Sequence, residues 1–91
     1  MFEDIPADPD LLIEVVKRSP MIAALHEGAK DRRELEQSLG ISKSTVHRNT
    51  NSLAERSIVE RRDGEYGLTE FGEAVAEVVA GFEDDMRTTV R

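Results

Sequence analysis

Residues 31–68, DRRELEQSLGISKSTVHRNTNSLAERSIVERRDGEYGL, carry the start, stop and turn signals from which the fold can be read. Asp31 with Glu34 three positions on forms a capping-box pair that opens a helix, and Leu35 and Leu39 give that helix its buried face. Gly40 stands where a left-handed residue is needed to stop it, and Ile41 follows as a buried plug. Ser42 caps a further helix reaching about Arg56, with Val46 and Leu53 turned inward. After Ser57 the apolar period shortens. Ile58 to Arg62 reads as a strand, Asp63-Gly64 as a two-residue hairpin turn, and Glu65 to Leu68 as the return strand.

Outward from this stretch, residues 1–9 read as an extended lead-in. Asp10 is expected to cap a first helix in which Leu11, Leu12, Val15 and Val16 make one apolar stripe, with Lys17 and Arg18 complementing its C-terminal dipole. Ser19 as N-cap and Pro20 at the first helical position then begin a second helix. It carries Met21, Ile22 and Leu25 inward and ends before Gly28. Beyond the hairpin, Thr69 caps a long helix over 69–88 with Glu70 and Glu73 in its first turn. Leu68, Phe71, Val75, Val78, Phe82 and Met86 recur along it at helical spacing, a stripe longer than so small a core requires. The expectation is one domain over 1–91, mainly α with a small β-hairpin, in the order α-α-α-α-β-β-α, without repeat or linker.

Composition narrows the function classes. The chain has no cysteine, which excludes disulfides, thiolate metal sites and thiol nucleophiles. No apolar run approaches the roughly 20 residues needed to cross a bilayer. The first four residues are acidic where a signal peptide is basic. A cytoplasmic protein without a membrane partner is expected. The formal net charge of −7 argues at first against nucleic acid, but its distribution matters more. Gly28 to Arg62 carries a net of +3 and the remainder −10, so acid is piled on the ends and the middle is locally basic. Nine Arg against three Lys, together with the acidic excess, fit a protein adapted to molar intracellular salt.

The elements Arg33-Glu34-Leu35, Leu39-Gly40-Ile41-Ser42, Ser44-Thr45-Val46, Arg48, Ile58 to Gly64, Tyr66, Leu68-Thr69 and Gly72 together resemble the winged helix-turn-helix transcription regulators of archaea and bacteria, an ArsR-like superfamily. The resemblance covers about Ser19 to Val79. It implies a helix-turn-helix over 31–56, a wing over 58–68 and binding to double-stranded DNA, with the chain acting as a regulator or as the N-terminal module of a larger haloarchaeal-type one. Glu36 departs from the family's usual small residue. Asn49-Thr50 stands where one apolar residue commonly closes the core, which implies looser packing of the inserted helix. Asp63 and Glu65 make the wing less basic than usual.

The physical reading agrees with that. A major groove about 12 Å wide accepts one helix when another braces it. With Val46 and Leu53 inward, Lys43, Ser44, His47, Arg48 and Asn51 face outward, the donor types that read base edges, with Arg48 the first choice for a base contact. Ser42 at the helix start, Ser44 and Thr45 suit phosphate. Arg61 and Arg62 flank the hairpin tip, where two cations fit a phosphate strand or minor groove, and Arg32 and Arg33 open the bracing helix. The plain alternatives are a solvated helix face and an edge strand guarded by charge.

A homodimer is expected through the last helix, with Phe71, Val75, Val78, Phe82 and Met86 at the interface, or through the first helix. His26 and His47 on separate elements make no metal site, no cofactor is implied, and no catalytic grouping stands out, so an enzyme is not expected. The rival function is a winged-helix protein–protein adaptor without DNA binding, to which the acidic total would give a basic partner.

Overall fold

The computed structural model describes residues 9–90, with side chains described as far as Gly81. Four helices come first: α1 (Pro9–Lys17), α2 (Ser19–His26), α3 (Arg32–Leu39) and α4 (Lys43–Glu55). An antiparallel hairpin of β1 (Val59–Arg62) and β2 (Glu65–Leu68) follows, and α5 (Glu70–Val90) ends the order. This is the winged helix-turn-helix fold, in the element order expected from the sequence.

The local signals around α3 and α4 act as their chemistry dictates. Asp31 accepts the Glu34 amide at 2.8 Å and its own amide donates to the Glu34 carboxylate at 2.9 Å, a reciprocal capping box. Gly40 ends α3 at φ 64°, and its amide donates to the Glu36 carbonyl. Ser42 caps α4 by accepting the Thr45 amide at 3.2 Å. At the hairpin tip Asp63 (φ 52°) and Gly64 (φ 83°) both take the left-handed conformation, which a two-residue turn of the type that matches strand twist requires. Thr69 accepts the Gly72 amide at 2.9 Å and so starts α5.

The core is aliphatic. Met21, Ile22, Ala24 and Leu25 of α2 pack with Leu35, Val46, Leu53, Ile58, Val59 and Ala76, and Leu11, Val15, Leu39, Ile41, Tyr66, Leu68 and Val75 close over them. Thr50, expected to loosen α4, is instead 1% exposed. Its hydroxyl donates to the Val46 carbonyl at 2.8 Å, which satisfies the polar atom within its own helix and leaves the methyl for packing.

The N-terminal part differs from the sequence reading in three ways. Pro9 is already helical, so Asp10 lies in the first turn of α1 and does not cap it; the rest of the lead-in, 1–8, lies outside the described residues. Ser19 is the first residue of α2, with Arg18 at the cap position making no side-chain cap bond, because α1 runs to Lys17 and leaves a single residue to turn the chain. The stripe of α1 is split. Leu11 and Val15 reach the core, but Leu12 (65%) and Val16 (72%) are exposed, as is Ile13.

The hairpin root is held against α5 by a close approach. A Cβ placed on Gly72 would lie 2.1 Å from the Ile58 carbonyl oxygen, whereas one on Gly81, in the same helix, meets nothing within 4 Å. Gly72→Ala is therefore expected to lower the unfolding free energy by about 1–3 kcal/mol or more. Gly81→Ala is expected to raise it by up to about 1 kcal/mol. Urea denaturation of the two variants checks the contrast, and equal effects would contradict it.

Candidate nucleic-acid interface

α4 exposes the face expected from its sequence. Lys43, Ser44, His47, Arg48 and Asn51 are exposed, and Thr45 is half-buried. Positions 43, 47 and 51 stack along one side at successive turns. Asn51 Nδ2 lies 3.2 Å from His47 Nε2, which holds these two polar groups together at the surface. Ser42 and Thr45 are engaged with each other: besides the capping bond, their hydroxyls lie 3.0 Å apart.

The hairpin sorts its charges by strand pleat. Its register pairs Arg61 with Tyr66 and Arg62 with Glu65, so the two arginines treated alike in the sequence point to opposite faces. Tyr66 spends both its backbone groups on Lys30, at 2.8 and 3.0 Å, in a short bridge along the outer edge of β2. Arg61 and Tyr66 are thus a non-hydrogen-bonded pair, the kind whose side chains come closest, and the guanidinium lies 5.4 Å from the ring centroid.

Tyr66 also lines a notch of about 390 Å³ with Arg32, Lys43, Ser44 and His47, where the start of α3, the start of α4 and one face of the hairpin converge. The opposite face carries acid. There Glu60, Asp63, Glu65 and Glu73 border a second cavity of about 390 Å³ with Arg62, which sits 3.6 Å from Glu60. Among the described residues Arg33, Lys43, Arg48 and Arg61 make no ion pair. Arg32 is tethered to Glu36 one turn along α3, the acidic departure noted above.

No local motif marks Tyr66 as a contact residue. The two-residue turn at Asp63-Gly64 sets the 61–66 pairing, so strand alternation holds the signal. Lys30 is a second residue whose part only the fold reveals. Its ammonium donates to the Ala24 carbonyl at 2.9 Å and its backbone extends the sheet, a structural role with no local sequence mark.

Residues 6–91 match the family model described as the HVO_A0261 N-terminal domain. The chain belongs to the HVO_A0261 N-terminal domain family. No curated protein matches it. Among solved structures it is similar to quinone-bound YodB from B. subtilis, with 26% identity and a TM-score of 0.76, over 87% of this chain and 93% of that one. It is also similar in fold to a MarR/EmrR family transcriptional regulator from Acinetobacter sp. ADP1, with 24% identity and a TM-score of 0.69, over 78% of this chain and 53% of the other. The chain thus spans about half the length of the Acinetobacter regulator. Within this HVO_A0261-type domain, no described helix is long and apolar enough to cross a membrane.

The start of α4 positions the whole exposed face, and one side chain holds it. Ser42→Ala is expected to lower stability by about 1 kcal/mol. Hydrogen exchange at the Thr45 amide should accelerate beyond the change in global stability, and unchanged protection there would count against the cap's role.

Proposed function

We propose that this domain is a sequence-specific double-stranded DNA-binding transcription regulator, with α4 in the major groove and the hairpin as its wing. The observation that carries the reading is the sorting of charge. Arg32, Lys43, His47 and the Arg61–Tyr66 pair gather on the side where α4 is exposed, while Glu60, Asp63 and Glu65 of the hairpin, with Glu73 of α5, border the cavity on its other side. A duplex approaching α4 meets donors and cations first.

In this reading Arg48 and Asn51, with His47 beside it, address base edges. Ser42, Lys43, Ser44 and Thr45 at the start of α4, with Arg32 and Arg33, address phosphate. Arg61 is the wing's phosphate contact, and Arg62 is a lesser one because it belongs to the acidic face. The ArsR-like branch, a cytoplasm of high salt, and a single domain spanning 1–91 are parts of the proposal that rest on the sequence. So does the absence of catalysis.

Binding of the purified protein to genomic DNA fragments over a salt series tests this. Arg48→Ala is expected to weaken binding to the preferred site about tenfold or more and to relax its specificity. Arg61→Ala should reduce the salt slope by about one, and Arg62→Ala by clearly less. Wild-type protein that retains no fragment at any salt would leave the adaptor as the reading of this fold.

The proposal includes a homodimer. α5 has two apolar sides: Gly72 and Ala76 are buried against the core with Val75 and Val79 half-buried, whereas Phe71 and Val78 (72%) face solvent. Leu12, Ile13 and Val16 of α1 are a second exposed apolar group, and the side chains of Phe82 and Met86 lie outside the described residues. Two copies joined through such surfaces would present two α4 helices to half-sites about one DNA turn apart. Val78→Glu should convert the dimer to monomer in sedimentation without altering the melting temperature greatly. A wild-type monomer at tens of micromolar would remove this part.

A further inference from the structure

His47 and Asn51 stand one turn apart on the exposed face of α4, and Asn51 Nδ2 lies 3.2 Å from His47 Nε2. A primary amide nitrogen donates and does not accept. The contact therefore makes Nε2 the acceptor of the ring and puts the ring's proton on Nδ1. It also sets the Asn51 amide in one of its two senses, with Nδ2 toward His47 and Oδ1 left out of the contact. The backbone beneath the pair is held as well. The Thr50 hydroxyl donates to the Val46 carbonyl and lies 3.1 Å from the carbonyl of His47.

An asparagine amide reads a purine edge by the order in which it presents acceptor and donor. In the major groove adenine offers the N6 amino group as donor and N7 as acceptor, so it needs Oδ1 opposite N6 and an Nδ2 hydrogen opposite N7. An amide turned over sets donor against donor and acceptor against acceptor. Guanine offers two acceptors, O6 and N7, and an amide oxygen repels one of them in either sense. Asn51 spends one amide hydrogen on His47, which leaves Oδ1 and the second hydrogen, the combination that adenine requires.

We propose that His47 is a positioning residue for base recognition: by accepting from Asn51 it locks that amide in the sense that reads adenine, so the preferred DNA site carries an adenine under Asn51. This rests on the DNA-binding reading above and names the base that one position of α4 selects. His47 acts through Asn51 and requires no base contact of its own.

The lock is tested first on the free protein. The chain has two histidines, so nitrogen–proton NMR correlation of the rings gives two sets of signals, and His47→Lys removes one of them and thereby assigns the other. A neutral His47 ring carrying its proton on Nδ1 is expected at about pH 8. A proton on Nε2 overturns the proposal alone, whatever the protein binds.

DNA binding is tested separately. Duplexes retained from a randomised pool identify the preferred site, and the position at which Asn51→Ala flattens the base preference is the one under Asn51. Adenine is expected there, preferred over guanine by about tenfold. His47→Glu, whose side chain only accepts, is expected to weaken all binding through its charge and to keep that ratio. His47→Lys, which only donates, turns the amide over, and the ratio should fall to about threefold or less while overall affinity holds or rises. Position 47 is exposed, so neither variant threatens the fold, and a purely structural or electrostatic role would change affinities without changing the ratio. A base other than adenine under Asn51, or a ratio indifferent to the exchange of acceptor for donor at position 47, overturns the proposal. Retention of no duplex by wild-type protein with the expected tautomer overturns the DNA-binding reading and this assignment together.

Discussion

The backbone of Ile58 is the joint on which the rest of the molecule depends. Its amide donates to the Leu53 carbonyl at the end of α4, its carbonyl accepts the Thr69 amide ahead of α5, and Gly72 packs against that carbonyl so closely that no side chain fits. Its own side chain is fully buried. One residue thus ties α4, the root of the hairpin and the final helix into a single rigid body. A buried residue's amide and carbonyl both have to be satisfied, and here their two partners come from opposite sides of the hairpin, one in α4 and one just ahead of α5. The relative placement of α4 and the hairpin is therefore a property of the core and needs no partner to impose it.

That rigidity gives the charge pattern its meaning. On a flexible hairpin the sign of each face would average out, but the pleat and the 61–66 register hold Arg61 toward α4 and Glu60 and Glu65 away from it. An acidic protein can in this way present a locally basic side. α5 repeats the device in apolar terms, with Gly72 and Ala76 turned to the core and Phe71 and Val78 turned out.

What could be read from the chain were features settled within three or four residues. The Asp31–Glu34 box, Gly40, the Ser42 cap, Asp63-Gly64 and the Thr69 cap are local hydrogen-bond and dihedral problems with few solutions, and each appears at its expected position. Where the reading departed, the decision was made by distant neighbours. Whether Leu12 and Val16 are buried depends on how α1 lies across α2, and whether Ser19 or Arg18 occupies the cap depends on where α1 stops. Thr50 was an ambiguous residue whose hydroxyl can satisfy itself within the helix, so only packing could tell that it closes the core. Of the candidate site, the α4 face was legible from helical spacing. The separation of Arg61 from Arg62 was latent in the turn type, while the part played by Tyr66 and Lys30 required the third backbone segment beside β2.

Tyr66 is the chain's single tyrosine, and tryptophan is absent. Nearly all of the near-ultraviolet absorption and emission of this domain therefore originates at one ring, half-buried beside Arg61 and the notch formed with Lys43 and His47. Evolution has left the molecule with a native optical probe seated at its most informative surface. Its emission can be followed on the unaltered protein, without labels.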